Sequence, residues 1–423
     1  MFSLLKMIFS RQLKERSYQI IIHTMSPLKC TATVDSISTS HVDNLDEHLY
    51  KYKDSVKIPP LGMVDDQIGV SKCGIDSLLS TAHLNAQTNV KRLQFGAKKC
   101  HKMHIGKSNL ICPVNTINTW DLVPKHENVT SVFDLIDKEG NNYQMTCLSS
   151  DLYLGDVLQS NAKNDLNIAE RTNKGNGAVQ QIMQLLEELC LGKYYFEAAC
   201  LLRNSLLLSS LLSNSESWYD LSEKDIQQLE SIDEQLLRKI FSAPRSTPKE
   251  LLYLESGSIP IKFILKSRRL NFLWYMLNEK DDSLLKEFLR AQCENPVKGD
   301  WVTTVLDDLQ ELDIKQNFDE ISEIPKVTFK NIVNSKVKQK ALNFLRNEQQ
   351  THSKSKNLHY SDLKLQDYLM SGLSIKEKSF IFLARSRMLN VKCNLKVGRT
   401  DLLCSICGLE DEEQEPLLSC TAL

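Results

Sequence analysis

Two carboxylates stand side by side in LGMVDDQIGVS, residues 61–71, with apolar residues on both sides. Successive side chains of a strand point to opposite faces. An acidic pair at the tip of an apolar hairpin can therefore turn one of Asp65 and Asp66 into a cleft and keep the other beside it. Hard divalent metals need oxygen ligands of this kind, and phosphoryl transfer uses such metals. A solvated turn between two strands accounts for the pair as well. Downstream, TNVKRLQFGAKKCHKMHIGK holds Lys91, Arg92, Lys98, Lys99, Lys102 and Lys107 and no acid. Phosphate chemistry places cations beside an acidic metal site, for the backbone and for the leaving group; a solvated basic face has the same composition. His101 and His104 lie three apart next to Cys100. On a strand that spacing sends them to opposite faces, which points to packing or phosphate contact rather than to a shared metal.

Further along, Lys262, Lys266 and Arg269 fall at i, i+4 and i+7 of IPIKFILKSRRLNFLWYML. That spacing predicts a helix with one basic side, a candidate for nucleic-acid contact, while Phe263, Leu270 and Trp274 can pack inward. Trp274 and Tyr275 read as core residues or as base-stacking rings, and Arg385 and Arg387 as solvated or phosphate-contacting cations. Near the end, Cys404 and Cys407 have C-x2-C spacing and Cys420 follows. A structural zinc site takes four ligands; three thiols suit a weakly held, exchangeable zinc or a loop without metal.

These residues need elements to position them. A chain of 423 residues predicts two or three domains. Its 52 basic and 53 acidic residues balance, so any nucleic-acid contact has to come from local patches. Twelve cysteines without a disulfide rhythm point to reduced thiols, in the cytoplasm or nucleus. The opening MFSLLKMIFSRQLKERSYQIIIH has apolar runs well short of the ~20 residues of a membrane span. It reads as an arbitrary N-terminus or a weak amphipathic targeting segment, and residues 1–25 show no clear pattern.

From Pro27 to about Val157, short apolar runs separated by Gly, Pro, Asn and Asp predict strands and hairpins, with a helix over DSLLSTAHLNAQTNVKRL. After about Asn173 helices take over. GAVQQIMQLLEELCLG ends at Gly192, and YFEAACLLRNSLLLSSLL is apolar on most sides, with Arg203 and Asn204 in its middle. LSEKDIQQLESIDEQLLRKIF opens on a capping box of Ser222 with Asp225. STPKELLYLESG runs from Pro248 to Gly257, amphipathic helices fill 279–345, a polar linker spans about Thr351–Asn357, and a last helix starts at Ser374 with Glu377. The fold class is α+β, a short antiparallel sheet followed by a large helical majority.

Taken together, LGMVDDQIGVSKCG, LQFGAKKCHKMHIGK and DLYLGDVLQ resemble, in order, the palm of a non-LTR (LINE-type) retrotransposon reverse transcriptase. Met63-Val64-Asp65-Asp66 is similar to the hairpin that carries its catalytic metal ligands. Lys99 resembles the lysine that protonates the pyrophosphate leaving group, and Tyr153-Leu154-Gly155 resembles the primer-grip hairpin. SPLKCTATVDSI is similar to the segment following the template-contacting Gln-Gly motif. The helices, through DWVTTVLDDL, are similar to the family's thumb and downstream region, and CSICGLEDEEQEPLLSC to its zinc knuckle. The resemblance covers about residues 26–423. It implies an unmatched segment over 1–25, a partial palm over 26–160, a helical thumb over 161–350 and a knuckle-bearing tail over 351–423.

It further implies magnesium at Asp65 and Asp66, an RNA or DNA template–primer as partner, and RNA-directed DNA polymerase chemistry. Several residues depart from the family. Its further metal-binding aspartate and its fingers belong to segments before the match, and HTM stands where the Gln-Gly element falls. Pro416, which cannot ligate, stands at the knuckle's histidine, leaving Glu415, Cys393 or an external group as the fourth ligand. The expectation is a truncated or degenerate reverse transcriptase, a pseudoenzyme that is inactive alone and keeps residual nucleic-acid affinity. The alternatives are an active polymerase fragment completed by an upstream segment, and a helical protein–protein scaffold.

Overall fold

The computed structural model describes the strand segments 18–27, 61–63, 66–71, 93–95, 101–105, 135–136 and 142–143, then 146–389 apart from 154, 160, 162 and 353–357, and finally residue 403. The strands are β1 (Tyr18–Pro27), β2 (Leu61–Met63), β3 (Asp66–Ser71), β4 (Leu93–Phe95), β5 (His101–Ile105), β6 (Leu135–Ile136), β7 (Asn142–Tyr143), β8 (Thr146–Cys147), β9 (Ser150–Tyr153) and β10 (Asp156–Gln159). The helices are α1 (Asp165–Glu188), α2 (Tyr195–Leu202), α3 (Leu208–Leu211), α4 (Glu223–Phe241), α5 (Lys249–Ser256), α6 (Ile261–Leu277), α7 (Leu284–Glu294), α8 (Trp301–Glu311), α9 (Phe318–Glu323), α10 (Lys326–Gln350), α11 (Asp367–Met370) and α12 (Ile375–Arg385). Strands and helices both occur, and helices dominate. The described residues fall into two compact units, one within Met1–Asn167, Ser217–Asp220 and Glu279–Thr304, the other within Ile168–Glu216, Leu221–Asn278 and Val305–Leu423.

The first unit holds a sheet in the order β2-β3-β1-β5-β8, with β4 also on β1. β3, β4 and β5 pair with β1 antiparallel, and β8 pairs with β5 parallel. The opening stretch without clear pattern therefore contains the strand to which three others pair. Its Ile20-Ile21-Ile22 run is continuous rather than alternating, so the period-2 signal of a half-buried strand is missing. β9 and β10 form a second hairpin with Tyr153 opposite Asp156. Gln159 then starts α1: its amide accepts from Leu166 N at 3.1 Å and donates to Asp165 Oδ1 at 2.9 Å.

α1 begins eight residues before Asn173, at Asp165, and from Ile168 on it belongs to the second unit. Asn167, Arg171, Asn173, Gly175 and Gly177 hide its apolar stripe, yet Ile168 is buried. Gly175 marks a close approach, since a Cβ there would stand 2.9 Å from Leu211 Cδ1 and 3.1 Å from Ile232 Cγ2. The apolar run after Tyr195 forms α2, then a π-helical turn over Arg203–Leu207, then α3. Elsewhere local signals match the elements. The capping boxes of Ser222 with Asp225 and of Ser374 with Glu377 both close, and α5 ends on Gly257 in the left-handed conformation. Asn317 with Glu320 adds a third box at α9. Replacing Ser222 with alanine removes the acceptor for Asp225 N and should cost about 1 kcal/mol in an unfolding experiment. The core is built from Leu229, Leu236 and Phe241 of α4, Leu252 of α5, Leu270 and Leu273 of α6, and Val333 and Ala341 of α10, all buried.

Candidate nucleic-acid interface

Asp66 opens the second strand of a hairpin. β2 and β3 run antiparallel with Leu61 opposite Ile68, Gly62 opposite Gln67 and Met63 opposite Asp66, and Val64 and Asp65 link them. Asp66 is the first residue of β3; Asp65 lies outside the described residues. On the other side of Asp66, the β1 register places Thr24. Neither neighbour is acidic, and β1, β2, β4 and β5 contain no Asp or Glu. A two-metal site holds its ions about 4 Å apart and needs carboxylates on both, so the strands around the hairpin add none to the adjacent pair. Among the described residues no three His, Cys, Asp or Glu side chains gather as a metal site requires.

Of the basic stretch, Lys91, Arg92, Lys98, Lys99 and Lys107 lie outside the described residues, as do Cys393, Cys404, Cys407, Glu415, Pro416 and Cys420. Lys102, His101 and His104 are on β5, paired to β1 opposite Ile21, Ile22 and Gln19. Of Tyr153-Leu154-Gly155, Tyr153 ends β9 and Gly155 immediately precedes β10, and Leu154 lies outside the described residues. Tyr153 is buried, and Gly155 has φ +84°, a left-handed conformation that glycine adopts without strain.

Lys262, Lys266 and Arg269 do share a face of α6, but it is turned inward. Lys262 Nζ lies 3.1 Å from the Phe344 ring centroid, and burial lowers its pKa against the opposing pull of Glu230. Lys266 Nζ meets Asp308 Oδ1 at 3.0 Å and Glu311 Oε2 at 2.9 Å. Arg269 grips Asp308 with two bonds, of 2.6 and 3.0 Å. Lys266 and Arg269 thus form an ion-pair seam against α8, while Lys262 lies over Phe344 of α10. Helical periodicity says which residues share a face, not what that face meets. Arg385 is likewise engaged, donating to the buried Glu255 at 2.8 Å.

A different basic surface lies one residue along the same helix. Phe263 touches Phe344, Ser267 reaches Asn334 and Trp274 reaches Ile324, so α6 and α10 pack antiparallel. Where the end of α6 meets the start of α10, a groove of about 410 Å³ is lined by Arg268, Phe272, Trp274, Tyr275, Lys326 and Lys330, with Asn271 and Glu216. The Trp274 indole N–H donates to Ile324 O at 2.7 Å, which fixes the ring while leaving it half-exposed. Phe272 and Tyr275 lie nearly parallel, 15° apart with centroids at 6.1 Å. Of these residues sequence reasoning singled out Trp274 and Tyr275 alone. The i, i+3 spacing of Phe272 and Tyr275 and the pairing of Lys326 with Lys330 were the available signal. Among the described residues no helix is long and apolar enough to cross a membrane. No protein-family model matches the sequence, and no curated protein matches it either.

Proposed function

We propose that the chain carries the palm hairpin and helical region of a non-LTR reverse transcriptase and that, by itself, it grips a template–primer without copying it. The observation that supports this is the ordered pair of hairpins, one linked through Asp65 and leading into Asp66, the other turning at Gly155 beside the buried Tyr153. Bound magnesium would supply Lewis-acid charge to a phosphoryl transfer, with Asp65 and Asp66 holding it together with a further carboxylate. The register that puts Thr24 and Met63 beside Asp66 favours a hairpin without that partner. Grip comes instead from phosphate electrostatics along Lys91, Arg92, Lys98, Lys99, Lys102 and Lys107.

Six phosphate contacts make affinity steeply salt-dependent, with a loss of about 10³-fold between 50 and 200 mM salt. The test measures template–primer binding across that range, together with primer extension on an RNA template in magnesium. Steep salt dependence with no extension is the expected result. Extension that Asp65→Asn abolishes would favour an active polymerase fragment completed by other residues. Absence of binding at any salt would favour a helical scaffold and overturn the proposal.

A further inference from the structure

We infer that the groove between α6 and α10 binds a single strand of nucleic acid, with bases on the exposed face of Tyr275 and phosphates on Lys326, Lys330 and the start of α10. This rests on the groove's own residues, not on the family reading. Three observations carry it. The first is charge: Arg268, Lys326 and Lys330 face one carboxylate, Glu216. Arg268 is already engaged, donating to Leu212 O and to Ser215 Oγ, and Glu216 opposes the loss of its charge on burial. Lys326 and Lys330 are exposed, and Lys330 makes no ion pair with any described residue.

The second observation is where those lysines sit. The first turn of a helix carries the positive end of its dipole and N–H groups without intrahelical partners, and it disfavours cations. α10 nevertheless opens on Lys326, with no acid and no side-chain cap in its first turn. Helix stability does not account for that choice, whereas an anionic ligand draws on the dipole, the N–H groups and both lysines at once.

The third is the rings. Tyr275 is 46% exposed and lines the groove beside the cations. Its near-parallel neighbour Phe272 backs it, and Lys326 Nζ lies 5.8 Å from the Trp274 ring centroid. An acidic peptide would use the cations and leave these faces idle. A base stacks on such a ring whatever its identity, and each stacked base is worth a measurable share of affinity. Cations along a groove with an aromatic platform are the combination that holds single strands without reading sequence.

The experiment is fluorescence anisotropy of the full chain with a fluorescein-labelled oligo-uridine of about 15 nucleotides. Tyr275→Ala should weaken binding by about ten-fold or more, and Tyr275→Phe, which keeps the ring, should retain it. Lys330→Gln should reduce the slope of log K against log salt by about 0.7. Both side chains are exposed, and far-UV circular dichroism should show all three variants folded as the parent. Unchanged affinity and slope in Tyr275→Ala and Lys330→Gln would overturn the groove proposal while leaving nucleic-acid binding by the basic stretch intact. No oligonucleotide binding at all would overturn both. Binding of a poly-glutamate peptide that Lys330→Gln weakens, in place of RNA binding, would reassign the groove to an acidic protein segment.

Discussion

Asp233→Ala is expected to lower the unfolding free energy of the helical unit by about 3–5 kcal/mol. Asp233 is fully buried on α4 and accepts from Arg203 twice, from Nε at 2.6 Å and from Nη2 at 2.5 Å. Arg203, 2% exposed, opens the π-helical turn and also donates to Ile259 O at 3.0 Å; Tyr253 completes the cluster with a 3.2 Å bond to Asp233. Burial opposes the guanidinium's charge, yet Asp233 and its hydrogen bonds hold its pKa above the ordinary value. Alanine at 233 leaves that charge in the interior with only the neutral oxygens of Ile259 O and Asn204 Oδ1 to accept from it. Removing one partner of a buried pair costs far more than the pair contributes. Arg203→Ala should therefore be about as damaging, whereas Arg203→Met with Asp233→Leu should recover most of the loss. Denaturant midpoints followed by circular dichroism decide it. A loss below about 1 kcal/mol in Asp233→Ala would mean that water reaches Arg203 and the cluster is not sealed.

That cluster also shows what a sequence discloses and what it withholds. Signals confined to a few neighbouring residues were legible. Ser222 with Asp225, Ser374 with Glu377, and Pro248 with Gly257 each bracket a helix end, because caps and left-handed turns are set by side chains within one turn of the chain. The hairpins of 61–71 and 150–159 were legible for the same reason. What depended on distant partners was not. Arg203 stands out in the middle of an apolar run, but nothing near it in sequence points to Asp233, thirty residues on. Lys266 and Arg269 share the face that their spacing gives them, and only α8, some forty residues later, decides that the face is closed by Asp308.

The missed elements have physical causes too. β1 lacks alternation because three isoleucines follow one another, and the first half of α1 carries polar residues and two glycines, of which Gly175 makes room for Leu211 and Ile232. The groove at Tyr275 is assembled from the end of one helix and the start of another, so no single window of sequence contains it. One of its cations is Arg268, adjacent in sequence to Arg269 but on a different face. One residue of helix is about 100° of rotation, enough to separate a buried ion pair from a groove-lining charge.

Gly257→Ala is expected to be the most damaging glycine substitution in the helical unit, at about 2–5 kcal/mol. Two glycines with positive φ make the comparison internal. Gly155 has φ +84° and nothing within 4 Å of where a Cβ would stand, so alanine there meets only the backbone cost of a left-handed residue, about 1–2 kcal/mol. Gly257 has φ +66°, and a Cβ on it would overlap the backbone of Lys364 and Leu365. That backbone cannot step aside cheaply, because it is pinned on both sides. Ser256 bridges to Leu365, Gln366 N donates to Glu255 O at 3.1 Å, and the Tyr360 hydroxyl donates to Glu255 Oε1 at 2.6 Å. Burial, then the neighbouring Glu255, raises the Tyr360 pKa and keeps its phenol a donor. Alanine at 257 must push residues 360–366 off α5 or unwind the end of that helix. Thermal melts of Gly155→Ala and Gly257→Ala separate the two contributions. A much larger loss at 257, with weakened protection of the 358–389 amides in hydrogen exchange, is the outcome that the close approach requires. Equal losses at the two positions would mean that segment 360–366 is not seated against Gly257.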